Sequence, residues 1–257
     1  MIAVRDLEVA FGDRVVARVP SLELAGGEIV GLAGESGSGK SQTALAVLGL
    51  SRSLGARVSG SITLDGEELL DASEARWREL RGRRIAMVMQ SPRGSLNPTL
   101  RLGRFFLRTL ALHGIEGADA EARMRAALAD VSLTDDLLGR YPHQVSGGQA
   151  QRFAIALAVA LRADVLLCDE PTSALDVTVQ AQVVALLKRL REEHGTAMLF
   201  ISHDLAVIGD LADRVVVMRD GAVVEAGATS EVLHTPGDAY TRALLDAVPV
   251  IGQRRIA

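Results

Sequence analysis

Gly34-Glu35-Ser36-Gly37-Ser38-Gly39-Lys40-Ser41 sets two glycines, 34 and 39, with four residues between them and follows them at once with a lysine and a serine. Glycines let the backbone close around phosphate oxygens with its N–H groups pointing inward. A helix that starts there turns its positive end toward the same anion. Lys40 would neutralise β- and γ-phosphates and the Ser41 hydroxyl would ligate Mg²⁺. This is the P-loop pattern, and residues 34–42, including Glu35, Ser36, Gly37, Ser38 and Gln42, form its cradle. A second chemical group lies far downstream. Val165-Leu166-Leu167-Cys168-Asp169-Glu170 is an apolar run ending in two acids. Ligands of an open parallel sheet gather at the carboxyl ends of its strands, so this end can face the cradle. Asp169 is expected to hold Mg²⁺, directly or through water, and Glu170 to polarise an attacking water as general base. Paired acids at a strand end are by themselves ordinary solvated surface. Behind a P-loop at this spacing they make a site. Cys168 reads as a small buried hydrophobe.

These residues need elements to position them. Strands are expected at 2–9, 15–24 and 28–33, with turns at 11–14 and 26–27, and the last strand feeds the cradle and a helix at 44–50. A strand at 61–64 with its Asp65-Gly66 turn, a charged helix at 73–80 and a strand at 85–89 ending at Gln90 follow. From 91 to 163 the pattern is helical, at 100–113, 118–131 and 146–161, with no clear strand. Alternation then resumes: strands at 165–168, 197–202, 214–218 and 222–226, helices at 177–193, 204–211, 230–233 and 239–248. Short apolar strands alternating with helices imply an α/β fold whose parallel sheet is covered on both faces.

The 257 residues carry a formal net charge of −4, are 48% hydrophobic and only 3% aromatic. That suffices for a core packed by aliphatic side chains and argues against a nucleic-acid binder working by bulk charge. The single cysteine excludes an internal disulfide framework and a cysteine zinc site. Lysines occur only at 40 and 188; Lys188 reads as an exposed helix position. Apolar runs such as 153–161 are too short to cross a bilayer. Residues 1–9 lack the basic, apolar, small-residue order of a leader. The expectation is a soluble cytoplasmic protein that meets a membrane only through a partner.

Between Tyr141 and Asp176 the sequence becomes more specific. Val145-Ser146-Gly147-Gly148-Gln149, followed by Gln151-Arg152 and then by Asp169-Glu170-Pro171-Thr172-Ser173-Ala174-Leu175-Asp176, resembles the signature and acidic motifs of ATP-binding-cassette ATPases. Gln90 matches the family's Q-loop glutamine, His203 in Phe200-Ile201-Ser202-His203-Asp204 its switch histidine, and Phe11 its adenine-stacking aromatic. The resemblance implies one ATPase domain over residues 1–257: a P-loop NTPase core with a parallel sheet, an N-terminal antiparallel β subdomain, and an inserted α-helical subdomain at 91–163. It implies ATP and Mg²⁺ as cofactors, with Glu170, His203 and Gln90 catalytic and Ser41, Gln90 and Asp169 toward the metal. It also implies head-to-tail pairing of two such domains. In that pair Ser146, Gly147, Gly148 and Gln149 cap the nucleotide held by the other P-loop, and Asp176 lies at the junction. A groove beside Gln90 would receive a cytoplasmic helix of a membrane partner.

Ser95-Leu96-Asn97-Pro98, Tyr141-Pro142-His143-Gln144, Asp176-Val177-Thr178-Val179-Gln180 and Tyr240-Thr241-Arg242-Ala243-Leu244-Leu245 are similar to the peptide/nickel uptake group. Val145 for leucine, Ala150 for arginine, Arg104 for glutamine and Gly237-Asp238-Ala239 before Tyr240 depart from it; none is a catalytic position. The group's peptide members usually continue into a cysteine-bearing tail, so an end at Ala257 tilts the expected cargo toward nickel or metal chelates over peptides. The partners implied are a second, related ATPase subunit, two transmembrane permease subunits and, indirectly, an extracytoplasmic binding protein. The place implied is the cytoplasmic face of the inner membrane, peripherally, with no nucleic acid. The competing reading is a non-transport ATPase of the same fold in a soluble phosphonate-cleaving complex. A repair or translation ATPase would need a coiled-coil insertion or two cassettes, and a small-molecule kinase has no use for the signature turn.

Overall fold

The computed structural model describes residues 1–247. In chain order the elements begin β1 (Ile2–Phe11), β2 (Arg14–Leu24), β3 (Ile29–Ala33), α1 (Lys40–Val47), β4 (Arg57–Leu64), β5 (Glu67–Glu68), α2 (Glu74–Leu80) and β6 (Ile85–Val88). Four helices follow, α3 (Pro92–Ser95), α4 (Leu102–Leu112), α5 (Gly117–Asp130) and α6 (Gly147–Leu161). The chain then runs through β7 (Val165–Asp169), α7 (Val177–His194), β8 (Ala197–Ser202), α8 (Leu205–Leu211), β9 (Arg214–Arg219), β10 (Ala222–Ala228), α9 (Thr229–His234) and α10 (Ala239–Asp246). The helix expected over 239–248 thus ends at Asp246, and residue 248 lies outside the described residues.

All ten strands join in one sheet, ordered β5-β4-β1-β2-β10-β9-β3-β8-β7-β6. The half from β9 to β6 is parallel, while β1, β2, β4 and β5 pair antiparallel. A single parallel pairing, Ala222 with Arg18, joins the halves through β10. In the central strands side chains alternate between two cores, as the two-residue period of a strand requires. Val165 and Leu167 of β7, with Leu199 and Ile201 of β8, pack with β1, β2, β4 and α1. Leu166, Cys168, Met198 and Phe200 pack on the opposite face with α4 to α8. Burial on both faces explains why these strands read as unbroken apolar runs. Within the second core Phe106 of α4 and Phe153 of α6 meet edge to face, ring centroids 5.5 Å apart.

Local chemistry sets most helix starts. Ser73, Asp176, Asp204 and Asp238 each cap a helix by accepting from a backbone N–H of its first turn, a contact that satisfies an otherwise orphan donor. Gly195, at φ 64°, ends α7 in the left-handed conformation glycine favours.

Two expectations are corrected. Helix α1 begins at Lys40, not 44, because Gly39 at φ 101° launches it directly from the loop; apolar spacing marked only its apolar part, although Lys40 and Thr43 are buried too. Strand β6 ends at Val88, so Gln90 stands two residues past the strand in an exposed bend. Pro92 opens the short α3, and a residue before proline is pushed out of helical geometry while the ring has no N–H for a ladder.

Phe153 is fully buried in the helical core and meets Phe106 edge to face. Phe153→Ala is expected to cost about 3–5 kcal/mol of unfolding free energy, read as a lowered urea midpoint with an unchanged slope.

Candidate functional site

The cradle is shaped by steric necessity. Gly34 sits at φ 143°, and a Cβ there would fall 2.2 Å from the Met218 carbonyl oxygen at the end of β9. At Gly39 a Cβ would fall 2.6 Å from the Val16 carbonyl oxygen of β2. No other residue lets the loop lie this close to the strands behind it. Gly221 N–H donates to the Ser38 carbonyl at 3.2 Å, fastening the loop to the β9–β10 hairpin.

Inside the loop, Lys40 Nζ donates to the Gly34 carbonyl at 2.8 Å, the Glu35 carbonyl at 2.7 Å and Ser38 Oγ at 3.2 Å. The residue is only 5% exposed. Burial pulls its ammonium below the ordinary lysine range, while the carboxylates of Glu170, Asp169 and Glu35 oppose that shift. Helix α1 has no side-chain cap and no acid in its first turn, so its first N–H groups await an acceptor from outside.

The acidic side meets the cradle as expected. Ser41 Oγ donates to Asp169 Oδ1 at 3.0 Å. Burial pushes the Asp169 carboxyl up, the Ser41 bond lowers it, the neighbouring Glu170 charge raises it and Lys40 lowers it, with a net upward shift. Glu170, one residue past β7, adopts φ 47°, left-handed backbone that costs a non-glycine residue about 1 kcal/mol or more. The turn holds it there: Glu170 N–H donates to the Ile201 carbonyl, and Ser173 Oγ donates to the Glu170 carbonyl at 3.1 Å. Its side chain, 13% exposed, meets His203 Nδ1 at 3.0 Å, while the His203 ring is 63% exposed. His203 lies between β8 and α8, where Asp204 N–H donates to Ser202 Oγ.

Other expected residues are placed apart from this cluster. Ser146 caps α6 and closes a box with Gln149: Ser146 Oγ accepts from Gln149 N–H, and Gln149 Oε1 accepts from Ser146 N–H. The Gln149 amide is therefore used within the turn. Gly147 is exposed, and Gly148 faces Ala174 and Leu175. Asp176 is exposed and caps α7 through Val179 N–H. Phe11 is half-buried at the end of β1, in the hairpin whose other strand supports Gly39. Glu35 and Ser36 are exposed, and Gln42 Oε1 is buried without a partner among the described residues. Lys188, expected to be exposed, is half-buried on α7 and pairs with Asp210 at 2.7 Å. Two contacts were not anticipated. Arg93 of α3 donates to the Val145 carbonyl just before the signature turn. Tyr240 Oη accepts from Glu35 N–H at 3.1 Å. Tyr240 stood out in sequence only as part of a subgroup pattern, and no local period could place it beside the cradle.

An uncapped helix start, a buried ammonium and a serine–aspartate oxygen pair at the strand ends define an α/β P-loop nucleotide-binding fold. The ABC transporter family model matches residues 18–173. The "Glutathione import ATP-binding protein GsiA" of Salmonella typhimurium is 43% identical over 99% of this chain and 43% of its own length. The "Probable D,D-dipeptide transport ATP-binding protein DdpD" of Escherichia coli is 45% identical over 91% of this chain and 73% of its own. Among solved structures, the post-hydrolysis dimer of the ATP-binding cassette MJ0796 with ADP and Pi has a TM-score of 0.80 at 26% identity, covering 89% of this chain and 99% of that one. The chain belongs to the ABC transporter family and is its ATPase domain. It spans less than half the length of the glutathione-import relatives.

ATP with Mg²⁺ is the nucleotide such a site takes, and the residues present fit it. The free amides of α1 and Lys40 suit phosphate oxygens. Ser41 and Asp169 suit a hard cation. Among the described residues no cluster of three or more His, Cys, Asp or Glu could cage a metal, so phosphate and water must complete its shell. Among them, too, no helix is long and apolar enough to cross a membrane.

Cys168, 1% exposed beside Asp169, has its thiol pushed up to about 12 by burial. It should resist a thiol reagent at pH 8 in the folded chain and react fully in denaturant; ready labelling of the native protein would contradict the burial.

Proposed function

We propose that this chain hydrolyses ATP to drive import across the cytoplasmic membrane, as one ATPase of a pair bound peripherally to two permease subunits. The observation that carries this reading is the convergence of Lys40, Ser41–Asp169 and Glu170–His203 at the carboxyl ends of β3, β7 and β8. Relatives named for glutathione, dipeptide and peptide import support transport over a soluble enzyme complex. Those names favour peptide-type cargo over the nickel or metal chelates that the sequence tilted toward.

Bound Mg²⁺ would draw charge from the phosphate oxygens of ATP. Lys40 and the first amides of α1 would hold the phosphates, with Ser41 and Asp169 on the cation. Glu170 is the general base of the proposal: it is close to Asp169 but turned by its left-handed backbone toward His203. His203, largely exposed, orients that carboxylate and would face the γ-phosphate. Gln90 would report on the cation from its bend and carry α3. The turn at 146–149 spends the Ser146 and Gln149 N–H groups on its own side chains, so the Gly147 and Gly148 N–H groups at the start of α6 would be the ones offered to the nucleotide of a second ATPase. The MJ0796 neighbour is a dimer.

Residues 91–163 would act as the helical subdomain that transmits the step. Between it and the core lies a groove of about 280 Å³, lined by Met89, Ser95, Leu96, Phe105 and Leu157 among others. Its apolar walls suit a short cytoplasmic helix of a permease. Arg93 ties the Gln90 segment to Val145 and hence to the signature turn.

Two outcomes test the chemistry. Glu170→Gln should retain ATP binding and lose at least about 100-fold in turnover, the scale of a lost general base, by phosphate release in the reconstituted complex; near-parental turnover removes Glu170 from this role. Lys40 gives a pH signature. Its folded pKa lies below 10.5, so between that lowered value and 10.5 the unfolded chain binds more protons and stability without nucleotide rises with pH. Over the same window the ammonium is lost from the site, so ATP affinity should fall. Titrating affinity against pH should show this alkaline fall in the parent and not in Lys40→Arg, whose charge persists.

A further inference from the structure

The last described helix reaches the first motif of the chain. Tyr240, at the start of α10, is 9% exposed, and its hydroxyl accepts from Glu35 N–H at 3.1 Å. That N–H shares a peptide unit with the Gly34 carbonyl, which accepts from Lys40 Nζ at 2.8 Å. A trans peptide points its N–H and C=O in opposite directions, so fixing one fixes the other. Gly34 has no side chain to oppose rotation of this unit. A flipped peptide would remove an acceptor from Lys40 and turn an N–H toward the ammonium instead.

We propose that Tyr240 is a positioning residue for nucleotide binding: its hydroxyl holds the Gly34–Glu35 peptide so that the Gly34 carbonyl faces Lys40. This rests on the proposed role of Lys40 as a phosphate ligand. The tyrosine is itself held from three sides. Its N–H donates to the Asp238 carboxylate at 2.8 Å. The Gly237 and Asp238 N–H groups donate to the Glu225 carboxylate of β10 at 2.7 and 3.3 Å. The Arg219 guanidinium lies over the ring at 5.0 Å. A hydroxyl so fixed selects one loop orientation, and affinity scales with the fraction of chains in the competent one. The C-terminal elements thereby gain a grip on the loop separate from the Gly221–Ser38 contact.

The test uses the full chain and ATP as the probe. Tyr240→Phe keeps the ring and removes the acceptor. Roughly a three- to tenfold weaker Kd for ATP is expected, the worth of one hydrogen bond, with faster exchange of the Glu35 amide and a melting temperature close to the parent's. Arg219→Ala, which loosens the ring without touching the hydroxyl, should leave the Kd within about twofold. Asp238→Ala, which uncaps α10, should weaken the Kd in the same direction as Tyr240→Phe and serves if the latter does not fold. Parental affinity in Tyr240→Phe and Asp238→Ala overturns the proposal, as does an Arg219→Ala loss equal to that of Tyr240→Phe, which would mean packing alone. Lys40→Ala separates the two levels. If it loses ATP binding while Tyr240→Phe does not, only the role of Tyr240 fails; if it binds ATP like the parent, the cradle reading fails and the role of Tyr240 with it.

Discussion

One buried ammonium sets the terms for much of this molecule. Lys40 is almost wholly removed from water, and every donor of its Nζ is spent on the loop that carries it. Such a group is costly without compensation, and the surroundings supply it in layers. The carbonyls of Gly34 and Glu35 and the Ser38 hydroxyl accept its hydrogen bonds, and the carboxylates of Glu170, Asp169 and Glu35 offset its burial. For those acids to stand near it, β7 must lie in the same sheet as β3, with β8 between them. The parallel order of the central strands is therefore what the electrostatics of the site require, since only parallel strands bring their carboxyl ends to one edge.

The two-sided sheet meets that need and divides the molecule's work. One face packs with the antiparallel strands and α1, the other with the helices from 92 onward. Residues on successive positions of β7 and β8 belong to different cores, so a movement of the helices relative to the sheet would pivot on strands whose ends hold Asp169 and His203. Arg93 reaching the Val145 carbonyl gives the helical layer an internal tie of its own.

Much of this was legible in the sequence, for physical reasons. Short apolar runs alternating with helical patterns placed the central strands; β8 spans 197–202 as expected. The glycine spacing and the paired acids pointed to the loop and to the acids beside it, where Ser41 meets Asp169, because those motifs are local and their chemistry leaves few substitutes. What stayed hidden was non-local or conformational. The positive φ of Glu170 and the early start of α1 are backbone choices that side-chain pattern does not encode. The Gln90 bend was masked by apolar Met89, which extends the pattern of β6 although Pro92 ends the strand first. Tyr240 lies 205 positions from its partner Glu35, and only the folded sheet brings the two together.

The cost of the acidic turn bears on the proposed pairing of two ATPases. Glu170 is held in a conformation that a glycine would adopt freely, yet glycine offers no carboxylate to act as a base. Strain of this kind persists only where the surroundings over-determine it, and here the Ile201 carbonyl, Ser173 and His203 do so. The signature turn is the reverse case: the Ser146 and Gln149 side chains each accept from the other's backbone N–H, and the turn carries no charge. A strained, charged half and a relaxed, neutral half are complementary under the proposed pairing. The charged half would bind phosphate alone and keep its base fixed, while the neutral half would add amide donors without desolvating another charge. Closing such a pair would exclude water from the acids at little electrostatic penalty, and binding of a small ligand, rather than a large apolar interface, would then decide whether the two ATPases stay together.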